Sequence, residues 1–261
     1  MGPASSAPGR RAPLTGAPAP RLAGALFAYG LVLAVFLLLP PTLHGDVGAV
    51  PGFTWQELFD LLTPVAALVA AWIVVREAGG LGPLGIAAFV AIGAVWADAH
   101  GLHLAANAIG DTFPAGSQRD AFYATDAGAL DHFLDEDAGH WLWHGAWAAL
   151  ELLLLGVAVM RRDRGAAVAA GSAAAAVITI AGSLVHGFTF FLVTTEGGTA
   201  ALGIALSAVI LAVGGRETSR GSRHPIVVFL AVSALSTLAL YAIWAALNGG
   251  RLVEPCSLMH C

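Results

Sequence analysis

Lysine is absent from this chain of 261 residues, and charge of any kind is scarce, at 11% of positions against 57% hydrophobic. A soluble domain carries about twice that charge. Without lysine there is no retinal Schiff base, which excludes a rhodopsin whatever the helix count. Glycine-rich phosphate loops and nucleic-acid motifs are missing too, so no nucleic-acid partner is expected. No internal repeat is strong enough to suggest an inverted-repeat transporter. Cysteine occurs only at Cys256 and Cys261, both in the C-terminal tail. Four intervening residues permit a small disulfide in an oxidising exterior, and Cys261 with His260 forms an alternative metal pair.

What the chain has in abundance is apolar runs of about 20 residues, the length that crosses a hydrocarbon core. Seven spans are expected, at 22–40, 58–76, 83–106, 139–160, 165–188, 198–214 and 225–247. The predicted fold is therefore an all-α, polytopic seven-helix transmembrane bundle covering 22–247. Residues 1–21 are rich in Pro, Ser, Ala and Gly and read as a disordered cytoplasmic tail. The first apolar run is long for a signal peptide and ends at Pro40-Pro41 without a small-residue cleavage site, so it reads as a retained helix. Residues 248–261 form an outer tail. Lysine-free, Ala/Gly/Arg-rich usage points to a prokaryotic cell membrane.

The arginines orient the bundle. Arg10, Arg11 and Arg21 precede the first span, and Arg76 follows the second. Arg161, Arg162 and Arg164 follow the fourth, and Arg216, Arg220 and Arg223 lie between the sixth and seventh. With the N-terminus inside and the C-terminus outside, ten of the twelve are cytoplasmic, as the positive-inside rule requires. Only Arg119 and Arg251 fall outside. The longest outer segment, about 107–138, is acidic, with Asp111, Asp120, Asp126, Asp131, Asp135, Glu136 and Asp137. A loop of that length is either a solvated cap or a functional element.

Histidine in a membrane helix is costly to bury and marks a site. His100 and His103 share one face of the third span with Trp96 and Asn107. On the fourth, His140, His144, Glu136, Asp137 and Glu151 share another. Ser172, Thr179, Ser183 and His186 stripe the fifth, and Ser233, Thr237, Tyr241, Trp244 and Asn248 stripe the seventh. Such faces turn inward, since lipid does not solvate them. Alternating span direction predicts that His100, His103, His140, His144 and His186 share one depth near the outer surface. Trp55, Trp141 and Trp143 read as interfacial belt residues, and His186 with Ser183 alone reads as a helix–helix hydrogen bond.

Imidazole pairs at i,i+3 or i,i+4 on neighbouring helices build metal centres in bundles. The expected ligands are those five histidines, with zinc favoured and iron, copper or haem as alternatives. Glu136 and Asp137, one turn above His140, are candidate catalytic groups, as are Glu151 and Ser183. A zinc with an open position lowers the pKa of bound water to about 7. The leading reading is thus a metal-dependent hydrolase acting on a lipid-like or apolar substrate at the bilayer surface. These ingredients resemble the seven-span superfamily of alkaline ceramidases and adiponectin-receptor-like proteins, which set intramembrane His, Ser and Asp around zinc. That family carries an HxxxH pair on its last span, where this chain has no histidine, so no residue role is carried over. The alternatives are an oxidoreductase with a di-iron, copper or haem centre, and a metal or proton transporter or sensor. Against the first stands the lack of the His-His clusters of membrane desaturases. Against the second, the inner half offers mainly hydroxyls and Glu151, with no counterpart to the outer cluster.

Overall fold

The computed structural model describes residues 19–48, 53–113, 115–161, 172–222 and 224–254. The tail before residue 19, Arg162, Arg164, Arg223, Cys256, His260 and Cys261 lie outside them. Among the described residues the chain is helical and has no strand. Seven helices are long and apolar enough to cross a membrane. The first is α1 (Ala19–Leu38). The second is broken into α2 (Trp55–Asp60) and α3 (Thr63–Glu77), and the third is α4 (Pro83–Asp111).

A short α5 (Ser117–Tyr123) precedes the fourth rod, in which α6 (Asp126–His132), a π-helical turn (Phe133–Gly139) and α7 (His140–Met160) run on without a break. The last three are α8 (Ala173–Glu196), α9 (Ala200–Ser219) and α10 (Pro225–Leu247).

Local chemistry sets several of these ends. Proline opens α3, α4 and α10, where its missing N–H costs nothing. Thr54 and Glu57 form a reciprocal capping box on α2. Thr125 caps α6 by accepting from the Gly128 N–H, and His224 caps α10 through the Ile226 N–H.

The main departure from the sequence reading is the stretch 107–138. It is largely helical: α4 runs to Asp111 and the fourth rod begins at Asp126. Asp131 and Asp135, one turn apart, are both buried on its inner face, so the acids follow helical spacing.

Helix α7 is the axis of the molecule. It packs against α4, α9 and α10, while α1 packs between α3 and α8, and α8 against α10. Buried share follows position, from 61% of the apolar window in the fourth rod to 22% in α4, which lies at the rim. Helices α1 and α8 cross at two glycines: a Cβ on Gly30 would lie 2.5 Å from the Gly182 carbonyl oxygen. Close backbone approach of this kind is how apolar helices associate in lipid.

The two ends differ in charge. Arg76 and Arg216 stand in the last turns of α3 and α9. Arg161, after α7, donates to the Gly80 carbonyl at 3.3 Å, which ties the same end together. The opposite end carries α2, α5, α6 and most of the histidines. There Tyr123 is held above its usual pKa, first by burial and then by the Asp131 and Asp135 carboxylates.

Candidate functional site

A proline one turn after Asp60, on the neighbouring helix, prepares the first histidine. In a continuous helix the Pro64 nitrogen would serve the carbonyl of Asp60, and proline has no hydrogen to give. The helix breaks between α2 and α3, and His100 Nε2 takes that orphaned carbonyl at 3.1 Å together with Asp60 Oδ1 at 3.1 Å. Thr63 Oγ1 also donates to Asp60 Oδ1, at 2.6 Å. Because a carbonyl only accepts, Nε2 carries the ring hydrogen and Nδ1 carries the lone pair. His100 Nδ1 is buried and has no partner.

Three further imidazoles repeat the pattern with the nitrogens exchanged. His140 Nδ1 donates to the Glu136 carbonyl of the π turn at 3.1 Å, and Glu136 Oε2 lies 3.6 Å away. A π turn widens the helix by one residue and recurs at functional sites. His144 Nδ1 meets Thr199 Oγ1 at 2.6 Å, and that hydroxyl turns toward the Thr194 carbonyl at 3.4 Å. His103 Nδ1 lies 2.6 Å from Asp135 Oδ1, an ion-pair distance without hydrogen-bond alignment. Facing a carboxylate, that nitrogen holds the hydrogen. In all three rings Nε2 has no oxygen partner, and on His144 it is buried as well.

These four rings surround one indole. Trp143 lies 4.6 Å from both His100 and His144, centroid to centroid, and 5.6 Å from His103. His103 and His140 are 4.6 Å apart, and His140 stacks on His144 at 5.5 Å. The turn between α8 and α9 closes over them: a Cβ on Gly197 would lie 2.5 Å from His144 Cε1 and 3.0 Å from His140 Cγ. The rings are adjacent but not gathered on one point. Among the described residues no three His, Cys, Asp or Glu side chains form a ready metal-ligand set.

His186 stands apart. Helix α8 continues to Glu196, well past the expected end at 188, so His186 is mid-helix and meets Glu151. Glu151 lies seven residues beyond His144 along α7, about 10 Å at 1.5 Å per residue. His186 Nε2 is 3.0 Å from Glu151 Oε1, and its Nδ1 is 2.7 Å from Ser233 Oγ. Both nitrogens are engaged, which leaves no lone pair for a metal alongside the other four. Glu151 Oε1 also accepts from Tyr29 Oη at 2.7 Å and Trp147 Nε1 at 3.1 Å. Trp147 stacks on Trp96 at 5.8 Å.

The expected catalytic set therefore divides. Glu136 is beside the imidazoles. Asp137 has an exposed side chain and meets His140 through its backbone carbonyl, which accepts the His140 N–H, and Glu151 belongs to the deeper centre. Ser183 spends its hydroxyl on the Thr179 carbonyl within its own helix. Trp141, 51% exposed, fits an interfacial position, but Trp143 at 6% does not, being enclosed by histidines. Sequence reasoning missed Asp60, Asp135, Thr199 and Tyr29. Proline four residues after Asp60 was the one signal available for the first, and i,i+4 spacing to Asp131 for the second. The chain matches no protein-family model, no curated protein and no solved structure.

Proposed function

We propose that the protein is a membrane-embedded metalloenzyme centred on His100, His103, His140 and His144, acting as a metal-dependent hydrolase on a lipid-like substrate. One observation carries this reading: each of the four imidazoles spends one nitrogen on an oxygen partner and leaves the other without one. Metal-binding histidines have this second partner almost without exception, because it fixes the tautomer and aims the ring. Modest rotation of rings already 4.6 and 5.5 Å apart brings their free nitrogens together. Zinc suits an all-imidazole set.

Glu136 supplies the general base in this scheme. Its side chain is half exposed, in reach of His140 and of the surface. The exposed apolar residues Leu130, Phe133, Trp141 and Leu142 around the site fit a substrate that stays partly in lipid. The arginines at the opposite end make that end cytoplasmic under the positive-inside rule, so the N-terminus is inside, the C-terminus outside, and the histidines face the exterior of a cell membrane. A redox reading draws on the aromatic residues of the two centres, Trp143 among the histidines and Trp147, Trp96 and Tyr29 at Glu151.

Elemental analysis and an absorption spectrum of the purified protein test the proposal. Stoichiometric zinc with no visible band is expected, and its loss on pairing His140→Ala with His144→Ala. Iron, copper or a Soret band transfers the site to the redox reading. Metal-free protein that keeps its activity after that paired substitution ends the metalloenzyme proposal.

A further inference from the structure

The deeper centre has an oxygen to spare. Glu151 is 1% exposed, and while its Oε1 accepts from Tyr29, Trp147 and His186, its Oε2 is buried with no partner. Three donors on one oxygen are met by an ionised carboxylate. Next to it is a small, partly enclosed cavity of about 10 Å³, whose polar lining is Glu151, His186, Ser207, Ser233 and Thr237. That volume holds a single particle the size of water.

The hydrogen bookkeeping around this cavity is one-sided. Since Glu151 only accepts, His186 Nε2 carries the hydrogen, and in the arrangement inferred below Nδ1 accepts from Ser233. The Thr237 hydroxyl gives its hydrogen to the Gly187 carbonyl at 3.0 Å. Ser233 and Thr237 thus have only lone pairs left, as does Glu151 Oε2. Three of the surrounding oxygens can accept and not donate, and one bears a full negative charge inside a membrane bundle, where a net charge is costly. Hard oxygen ligands with one carboxylate call for a hard cation of a single charge.

We propose that this cavity is a binding site for a dehydrated alkali cation, sodium by its size, held by Glu151, Ser233, Thr237 and Ser207. The site draws ligands from α7, α9 and α10, while Glu151 and His186 tie in α1 and α8, so occupancy locks five helices together. It is independent of the histidine layer, since none of those four histidines lines it.

Thermal unfolding of the full chain in detergent at pH 8 tests this, with sodium, potassium or choline chloride at constant ionic strength. Sodium is expected to raise the midpoint saturably, by several degrees, and choline not at all. Glu151→Gln, which keeps an acceptor for Tyr29 and places its own amide in the cavity, abolishes the sodium response. Thr237→Val and Ser207→Ala, milder changes should Glu151→Gln fail to fold, each weaken sodium roughly tenfold. A midpoint that moves equally in choline, or moves with potassium and not with sodium, overturns the proposal. So does a sodium response that survives in Glu151→Gln or in both hydroxyl variants, which would leave water as the occupant.

Discussion

Among the described residues two clusters bury histidine between the helices, and they use it in opposite ways. In the layer around Trp143, four imidazoles each spend one nitrogen and keep the other. Ten ångströms deeper, on the order of two helical turns, His186 spends both, on Glu151 and Ser233. The first arrangement leaves a ring nitrogen without an oxygen partner on each histidine, while the second is a cross-link. The number of histidines at helical spacing is therefore not the number of available ligands. What the second nitrogen touches decides the role, and except at His140, which uses the Glu136 carbonyl of its own rod, that partner comes from another segment.

Stability breaks the comparison most forcefully. Glu151→Ala strands the Tyr29 hydroxyl, the Trp147 N–H and the His186 N–H in a buried site with no acceptor. Removing one side of such a buried network costs about 3–5 kcal/mol, while His144→Ala, which frees only Thr199, costs about 1–2 kcal/mol. Thermal or denaturant unfolding in one detergent compares the two directly. Equal losses would mean that the histidine layer is a structural network as well.

Metal titration separates the two places by function. With zinc in a calorimeter, His144→Ala is expected to lose at least tenfold in affinity, the lower bound for even an outer partner of a metal ligand. His186→Gln keeps wild-type zinc affinity within about twofold, as an independent site does. If His186→Gln falls as far as His144→Ala, the two places are one centre after all.

Much of this division was out of reach of the sequence. The seven spans were legible because bilayer thickness forces apolar runs of fixed length, and the stripes of α7, α8 and α10 were legible because a helix repeats. Thr179, Ser183 and His186 are buried together, as are Ser233, Thr237 and Tyr241. Depth was less secure. His186 looked level with His144 only because its helix was expected to stop at 188, and eight further residues lower it by about 12 Å. The segment 107–138 misled for a similar reason, since dense acidic residues resemble solvated loop until Asp131 and Asp135 are seen to share a buried face. Asp60, marked only by the proline after it, and Thr199 lie 40 and 55 positions from the histidines they serve, and Tyr29 lies 122 from Glu151, so no sequence spacing links these pairs.

Crowding offers a gentler probe of the histidine layer. Gly197 has an ordinary backbone conformation, φ −81°, so alanine there introduces no strain of its own. Its methyl group would nevertheless fall on His144 Cε1 and His140 Cγ. Gly197→Ala is expected to tilt both rings and weaken zinc about tenfold, in the range seen for disturbed outer partners of a metal. The unfolding midpoint should move little, and Gly198→Ala, where φ is +63°, should do the reverse by straining the backbone. Zinc affinity unchanged in Gly197→Ala would show that the α8–α9 turn does not position the rings.

The smallest effect concerns a histidine that belongs to neither place. His224 lies just before α10, buried, and its Nδ1 accepts from the Ile226 N–H. Burial alone lowers its pKa from 6.5 to about 4. The folded protein therefore holds it neutral where the unfolded chain protonates it. Its contribution is fully present above pH 6.5 and is lost as pH falls toward 4, by at most about 3 kcal/mol at 1.36 kcal/mol per unit. His224→Ser keeps an oxygen for the Ile226 amide, so at neutral pH it changes stability by under about 1 kcal/mol. Between pH 6.5 and 4 the variant should lose less stability than the parent, because the residue that must charge is gone. An imidazole serving as a plain helix cap thus titrates as an isolated buried base, and its pH profile is the baseline against which acid effects in the histidine layer are to be measured. If the two profiles coincide, acid acts through the layer or the carboxylates instead, and His224 is silent.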